Sequence, residues 1–298
     1  RCSSVCPAKA SGRELDPRDV ILDLKRYKDE LDLGIESKRP IIADGGSVIS
    51  ITSMEACMSC LACVDACPVG IEHVTQFTDM NRRLVESGQI NENLQSIMMD
   101  MFTHGNSFGI SERKRPEWTN DLPFSIPDAR DSKVKYLWYV GDLPSYDPRN
   151  QKIAKALAHI FHETGISYGI LYDSEKNDGN DVRRIGEEGL YEMLTETNID
   201  SFNQCDFEII VCTDPHSYNT IKNEYPQFGF NADVRHYTGV LQDLVNSGIL
   251  KIPNSLNYSV TYHDPCHLGR YNHEYDAPRE IIEKTGCILH EMPRNRRN

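Results

Sequence analysis

The feature that most constrains this chain is a run of four cysteines within eleven residues. Residues 57 to 68 read CMSCLACVDACP, with cysteines at positions 57, 60, 63 and 67. Thiolate sulfur suits zinc, Cu(I) and iron–sulfur clusters, so the spacing has to decide between them. Zinc sites usually separate two short ligand pairs by a dozen or more residues, whereas this spacing is typical of bacterial 4Fe-4S clusters. The run therefore predicts an iron–sulfur cluster, with a zinc-stapled binding module as the non-enzymatic alternative.

A second cysteine pair opens the chain. Residues 2 to 7, CSSVCP, repeat the CxxxCP spacing of residues 63 to 68. In two-cluster ferredoxins the last cysteine of each run ligates the neighbouring cluster. One complete 4Fe-4S cluster is therefore expected on Cys6, Cys57, Cys60 and Cys63. Part of a second is expected on Cys2 and Cys67, and its other ligands are expected to precede Arg1, because the chain begins inside the motif.

Composition narrows the function classes. The net charge of −13 opposes binding to nucleic-acid phosphates. Six of the ten cysteines lie in the two tight clusters, which fits metal ligation in a reducing compartment and predicts a cytoplasmic protein. No apolar run approaches the roughly 18 residues that a membrane helix needs.

Periodicity divides the chain into two kinds of structure. Residues 17–33 and 72–87 repeat apolar side chains at helical spacing, so residues 1–102 are predicted to form an all-α, ferredoxin-type domain. Residues 103–132, rich in Gly and Pro, are predicted to be a linker.

From residue 133 onward, short apolar runs alternate with helical patterns, which predicts an α/β domain with a largely parallel sheet. The predicted strands are residues 134–140, 166–172, 207–213, 232–236 and 258–263, and the predicted helices are residues 151–164, 183–197, 215–224 and 239–247. Residues 147–171 and 276–289 share a helix start, a Thr-Gly stop and a following strand. This repeat predicts a first unit over 133–252 and the beginning of a second over 253–298.

These motifs resemble two known domains. Residues 1 to about 90 resemble the helical two-cluster ferredoxin domain of heterodisulfide reductase and succinate dehydrogenase iron–sulfur subunits. Residues 262–270, YHDPCHLGR, resemble the opening of the cysteine-rich CCG domain found in the D-type subunit of heterodisulfide reductase and in glycolate oxidase iron–sulfur subunits. The resemblance implies that Cys266 is the first ligand of a CCG-type cluster, whose other ligands are expected after Asn298.

The first copy departs from the CCG pattern. Asp142 stands where the family has a cysteine, residues 177–179 read Asn-Asp-Gly in place of Cys-Cys-Gly, and Ser217 replaces another cysteine. Carboxylate and amide oxygens are poor ligands for such a cluster, so this copy is interpreted as scaffold or docking surface. The remaining cysteines are predicted to be structural: Cys205, Cys212 and Cys287.

The resemblance is strongest to the membrane-anchored branch of this family, which passes electrons between electron-transfer flavoprotein and quinone. It implies an oxidoreductase component at the cytoplasmic face of a membrane, with the membrane domain outside these residues. Its alternatives are a heterodisulfide reductase-like catalytic subunit with a disulfide acceptor, and a lactate or glycolate oxidase iron–sulfur subunit. No side chain is a persuasive acid or base, no GxGxxG fingerprint follows the first strand of the α/β region, and four histidines are interpreted as structural: His73, His216, His263 and His267.

Overall fold

The computed structural model describes residues 1–35, 39–43 and 45–296. Two compact units are present. Arg1–Asn91 and Asp181–Glu188, with the end of the chain from Arg296, form the first; Glu92–Asn180 and Gly189–Asn295 form the second. Within the described residues, no helix is both long and apolar enough to cross a bilayer.

Short helices dominate the first unit. They are α1 (Cys2–Val5), α2 (Pro7–Ala10), α3 (Pro17–Asp32), α4 (Ile51–Glu55), α5 (Ala62–Asp65) and α6 (His73–Glu86), with two strands, β1 (Ile42–Ala43) and β2 (Ile49–Ser50). Helices α3 and α6 fall within the predicted ranges 17–33 and 72–87. Helix α3 begins where Asp16 accepts a hydrogen bond from the Arg18 amide and Pro17 occupies the first helical position.

The strand pair means that the expectation of an all-α first domain is not confirmed. Strands β1 and β2 pair in parallel, with Ile42 opposite Ile49. Both isoleucines are buried, and the pair is too short to show an alternating pattern in the sequence. Packing of these two side chains, rather than local strand propensity, accounts for the pair.

The second unit follows the predicted alternation. Its helices are α7 (Glu92–His104), α8 (Asp142–Tyr146), α9 (Gln151–Glu163), α10 (Asn180–Ile185, shared with the first unit), α11 (Glu188–Asn203), α12 (Pro215–Asn219), α13 (Tyr237–Asn246), α14 (Cys266–Gly269) and α15 (Asp276–Lys284). Its strands are β3 (Tyr136–Tyr139), β4 (Tyr168–Gly169), β5 (Ile209–Cys212), β6 (Asp233–His236), β7 (Ser259–Val260) and β8 (Ile288–Leu289). A π turn, Thr220–Glu224, follows α12.

All strand pairs in this unit are parallel, as predicted. The main sheet has the order β4-β3-β5-β6, and β7 pairs separately with β8. Trp138 and Val211 face α9 and α13 on one side of the sheet. Tyr139 and Cys212 face α11 and α12 on the other. Helices therefore cover both faces, as the continuous apolar strands require.

One predicted helix, residues 183–197, is divided in the structure. Helix α10 ends at Ile185 and α11 begins at Glu188, with Gly186 between them at φ 99°. A Cβ atom on Gly186 would lie 2.4 Å from the Arg82 backbone nitrogen. Arg82 also forms an ion pair with Glu188. The break lets residues 181–188 pack against α6 in the first unit, a contact that periodicity cannot reveal.

Residues 103–132 contain more structure than the linker that the sequence predicts. They form a 3₁₀ helix over Glu112–Asp121, and Arg115 and Trp118 within it are both 2% exposed. Trp118 packs edge-to-face on Trp138 at 5.5 Å between ring centroids. The segment carries little periodicity because it contributes single large side chains to the core of the α/β unit.

Arg115 forms the most buried ion-pair network of this segment. It lies 2.5 Å from an Asp142 oxygen and 2.7 Å from a Glu175 oxygen, and all three side chains are under 10% exposed. Glu175 also accepts hydrogen bonds from the backbone amides of Val140 and Gly141, each at 2.8 Å. Burial raises the pKa of the Glu175 carboxyl, although the Arg115 charge opposes this.

We predict that Arg115→Leu lowers the free energy of unfolding by about 3–5 kcal/mol, because it leaves two buried carboxylates without their cation. Denaturant titration followed by circular dichroism measures the loss. The matched control is Arg235→Leu, which removes a 2.7 Å pair with Asp243 from an arginine that is 42% exposed. The control should cost no more than about 1 kcal/mol. Equal losses would show that burial does not set the strength of the Arg115 network.

Candidate functional site

The loop that carries the cysteine run has an unusual backbone. Helix α4 ends at Glu55, and the chain then passes through Ser59 at φ 48° and Leu61 at φ 64° before α5 begins. Residues other than glycine seldom adopt the left-handed region. Alternation of right- and left-handed residues turns successive backbone N–H groups toward one side, which forms a concavity suited to anionic sulfur. The loop is therefore shaped for a negatively charged cluster.

The structure brings four predicted ligands around one small cavity. Its cysteines are Cys6, Cys57, Cys60 and Cys63. The remaining lining is apolar apart from the backbone: Pro7, Ala8, Leu15, Pro17, Met58, Val74 and Phe77. Cys2 and Cys67 are outside the described lining, although α1 packs against α5, which precedes Cys67. The cavity thus joins a cysteine from the start of the chain to three from a loop some fifty residues later.

The arrangement fits a cluster better than a single ion. Within the ranges 1–35, 39–43 and 45–296, no three His, Cys, Asp or Glu side chains converge as they would around one metal ion. A zinc site needs its thiolates around one point. A 4Fe-4S cluster instead spreads its four thiolates over four irons, and when bound it accepts and releases single electrons. The spread of the cysteines around an apolar cavity therefore suits the cluster.

Electrostatics in the cavity point the same way. Burial raises the pKa of the Cys57 thiol to about 11, and the neighbouring Cys60 and Cys6 add to the rise. Burial likewise raises the pKa of Cys63 to about 12, with Cys57 and Cys60 contributing. Thiolates are consequently costly here without a nearby positive charge, and iron supplies that charge.

Cys67 has a different environment. Its sulfur accepts a hydrogen bond from the Ile71 amide at 3.3 Å. This bond, with further ones from the Val69 and Gly70 amides, lowers the pKa of the Cys67 thiol. Backbone N–H groups stabilise a thiolate at this position without iron.

Asp16 was not among the residues singled out from the sequence. It accepts hydrogen bonds from Ser3 Oγ at 2.7 Å and the Arg18 amide at 2.9 Å, and it forms an ion pair with Lys9. Burial opposes its ionisation, but these donors lower its pKa to about 2. It holds the segment of Cys2 and Cys6 against the start of α3. The Asp-Pro pair at a helix start is the signal that could have identified it.

Cys266, the predicted first ligand of the CCG-type cluster, opens α14 and is partly exposed. The turn before it is fixed by Asp264, which accepts two hydrogen bonds from Arg279 at 2.6 and 2.8 Å. Next to it, His267 stacks on Tyr271 with ring centroids 4.4 Å apart. Cys212, in contrast, is fully buried in the sheet core.

The positions that replace cysteines in the first CCG-like copy are hydrogen-bonded to one another. Asp142 accepts from Asn177 Nδ2 at 2.8 Å, and from the amide and hydroxyl of Ser107. Asp178 accepts from Ser217 Oγ at 2.6 Å. Polar side chains therefore satisfy each other where thiolates would otherwise face a cluster.

The four histidines differ in setting. His73 is buried, and its Nδ1 lies 2.9 Å from the Ile71 carbonyl oxygen. His216 is exposed and forms an ion pair with Asp214 at 3.2 Å. The rings of His216 and His267 lie 4.4 Å apart, while His263 is exposed.

A cysteine-lined cavity followed by a parallel α/β unit defines a class of iron–sulfur electron-transfer proteins. Comparison with known families agrees: a 4Fe-4S dicluster domain matches residues 1–71, and a cysteine-rich domain of the CCG type matches residues 144–222 and 260–298. The chain belongs to the family of iron–sulfur oxidoreductases that combine these two domains, and 4Fe-4S clusters are its cofactors.

Three relatives illustrate the family. The chain is 37% identical to the probable iron-sulfur-binding oxidoreductase FadF of Bacillus subtilis, over 99% of the chain and 48% of that protein. It is 32% identical to the EtfAB:quinone oxidoreductase of Syntrophomonas wolfei, over 98% and 45%. It is 24% identical to the D-type subunit of the dihydromethanophenazine:CoB–CoM heterodisulfide reductase of Methanosarcina barkeri, over 99% and 74%. The chain therefore spans about half the length of the first two. No solved structure matches it.

We predict that alkylation separates the cysteines. In the metal-free chain near neutral pH, iodoacetamide should modify Cys67 before Cys57 and Cys63, because the pKa of Cys67 is lowered and those of the other two are raised. Peptide mass spectrometry measures the order.

The iron-loaded chain supplies the control. Loading should protect all four cavity cysteines and leave Cys67 reactive. Protection of Cys67 together with continued reaction at Cys6 would contradict the grouping seen in the cavity.

Proposed function

We propose that this chain relays single electrons through 4Fe-4S clusters between a flavoprotein and a quinone. The observation that carries the proposal is the apolar cavity lined by Cys6, Cys57, Cys60 and Cys63. A cluster held there would have its potential set by burial, local charge and hydrogen bonds to sulfur. The name of the EtfAB:quinone oxidoreductase relative supports a flavoprotein and a quinone as partners.

The proposal assigns the remaining ligands by chemistry and resemblance. Cys2 and Cys67 hold part of a second 4Fe-4S cluster, and Cys266 holds part of a CCG-type cluster that exchanges electrons with the terminal acceptor. Since quinones dissolve in membranes, the chain would work at the cytoplasmic face of a membrane, and a membrane domain or subunit would lie outside these residues.

A second candidate function is disulfide reduction at the Cys266 cluster. Its support is the partial exposure of Cys266 and the similarity to one subunit of a heterodisulfide reductase. Thiol- or disulfide-dependent turnover by the full-length protein would favour it, whereas quinone reduction without such turnover would favour the relay. Recovery of a lactate or glycolate oxidase flavoprotein in a pull-down would keep the relay and change its donor.

We predict that this chain, reconstituted anaerobically, binds about four irons with matching sulfide, because it contains one complete set of four ligands. Cys6→Ser should remove most of this iron, since a serine oxygen is a harder and poorer ligand. Cys67→Ser is the matched control and should leave the iron content near that of the parent chain. Zinc in place of iron and sulfide would contradict the cluster, and equal losses in the two variants would contradict the assignment of Cys6.

A separate measurement tests the relay itself. Reduced electron-transfer flavoprotein, mixed anaerobically with the iron-loaded chain, should bleach the cluster absorbance and produce the paramagnetic signal of a reduced cluster. A chain that holds its iron but accepts no electron from the flavoprotein would contradict this donor.

A further inference from the structure

The surface beside the cysteine cavity has a one-sided charge. Residues 45 to 81 contain no lysine or arginine and four acidic residues. One of these, Asp79, forms an ion pair with Arg82. The other three flank the cysteine run: Glu55 lies at the end of α4, Asp65 at the end of α5, and Glu72 at the N-cap of α6. Because α4 and α5 both pack on α6, these carboxylates belong to one part of the unit.

Two large apolar side chains are exposed in the same region. Met58 is 67% exposed, although it also contributes to the lining of the cysteine cavity. Val69, two residues after Cys67, is 76% exposed. Single exposed apolar residues are common on protein surfaces. Here, however, the two lie on the segments that carry the predicted cluster ligands, and Met58 connects the cavity wall with solvent.

Basic residues on the other wall of the cavity do not neutralise this surface. Pro7 and Ala8 line the cavity from the N-terminal segment. The lysine that follows them, Lys9, forms an ion pair with Asp16. The acidic character of residues 45–81 therefore remains on the side that Met58 and Val69 occupy.

We propose that the surface formed by Glu55, Met58, Asp65, Val69 and Glu72 is the docking site for a redox protein whose own electron-exchanging centre is surrounded by lysine and arginine. The proposal rests on the electron relay proposed above and identifies the partner by its charge. Electrostatic attraction would bring the two surfaces together, and Met58 and Val69 would form the dry centre of the contact. A small patch is sufficient, because transient electron-transfer contacts bury little area.

The reaction at this surface is a single electron transfer. One electron leaves the reduced 4Fe-4S cluster and reduces the partner's centre by one electron, or the reverse, and no bond or proton changes place. Docking at Met58 places the partner directly against the wall of the cluster cavity.

The test uses mitochondrial cytochrome c, a basic haem protein, as the probe. The iron-loaded chain is reduced anaerobically, freed of reductant and mixed with oxidised cytochrome c in a stopped-flow instrument. We predict a rate that falls at least about tenfold between about 0.01 and 1 M salt, over which the Debye length shortens from about 30 to about 3 Å. Cytochrome c with acetylated lysines keeps the haem but loses the basic surface, so it should react more slowly at low salt and show little salt dependence.

Variants locate the contact. Met58→Gln and Val69→Gln should each slow the reaction with cytochrome c by about threefold or more, measured as a ratio to the rate with a small uncharged quinone. This ratio corrects for any change in the cluster itself. The double variant Glu55→Gln with Glu72→Gln should flatten the salt dependence. The matched controls carry the same changes elsewhere in the unit: Leu33→Gln, where the side chain is 79% exposed, and Glu86→Gln, where it is 68% exposed.

The outcomes separate this proposal from the relay. Loss of iron or of cluster reduction in the parent chain would count against the relay. An intact, reducible cluster whose reaction with cytochrome c ignores salt, or variants at Met58 and Val69 that match the Leu33→Gln control, would overturn the docking surface alone.

Discussion

The charge of closely spaced thiolates in an apolar cavity is the constraint on which the first unit depends. Burial and mutual repulsion raise the pKa of Cys57 to about 11 and that of Cys63 to about 12. Such a cavity cannot hold several thiolates in water-like ionisation, so positive iron is what makes the arrangement stable. Cluster binding and folding of this unit are therefore expected to be coupled, as they are in other small metal-binding domains.

Meeting that constraint takes backbone geometry as well as cysteines. Ser59 and Leu61 accept left-handed conformations so that the loop can curve around the cavity. Asp16 holds the N-terminal segment through hydrogen bonds from Ser3 and the Arg18 amide and the ion pair with Lys9, which positions Cys6 across from the loop. Residues outside the ligand set thus determine whether the four thiols share one cavity.

The second unit solves a related problem with different chemistry. Where CCG-type relatives are expected to present cysteines, Asp142 and Asp178 accept hydrogen bonds from Asn177 and Ser217. Arg115, delivered by the 3₁₀ helix of residues 112–121, supplies the compensating positive charge. In the first unit we propose that iron provides that charge, whereas here a buried guanidinium provides it.

Local pattern in the sequence was enough for much of this architecture. Helices α3 and α6 and strands β3, β5 and β6 fall within their predicted ranges, because each carries a regular apolar repeat or a continuous apolar run. Cysteine spacing likewise indicated the 4Fe-4S chemistry, since ligand softness and spacing are properties of the residues themselves. Tertiary structure alone decided the β1–β2 pair, the break at Gly186, the burial of Arg115 and the role of Asp16. Each of these depends on contacts between residues distant along the chain, whose energy no local pattern of side chains can reveal.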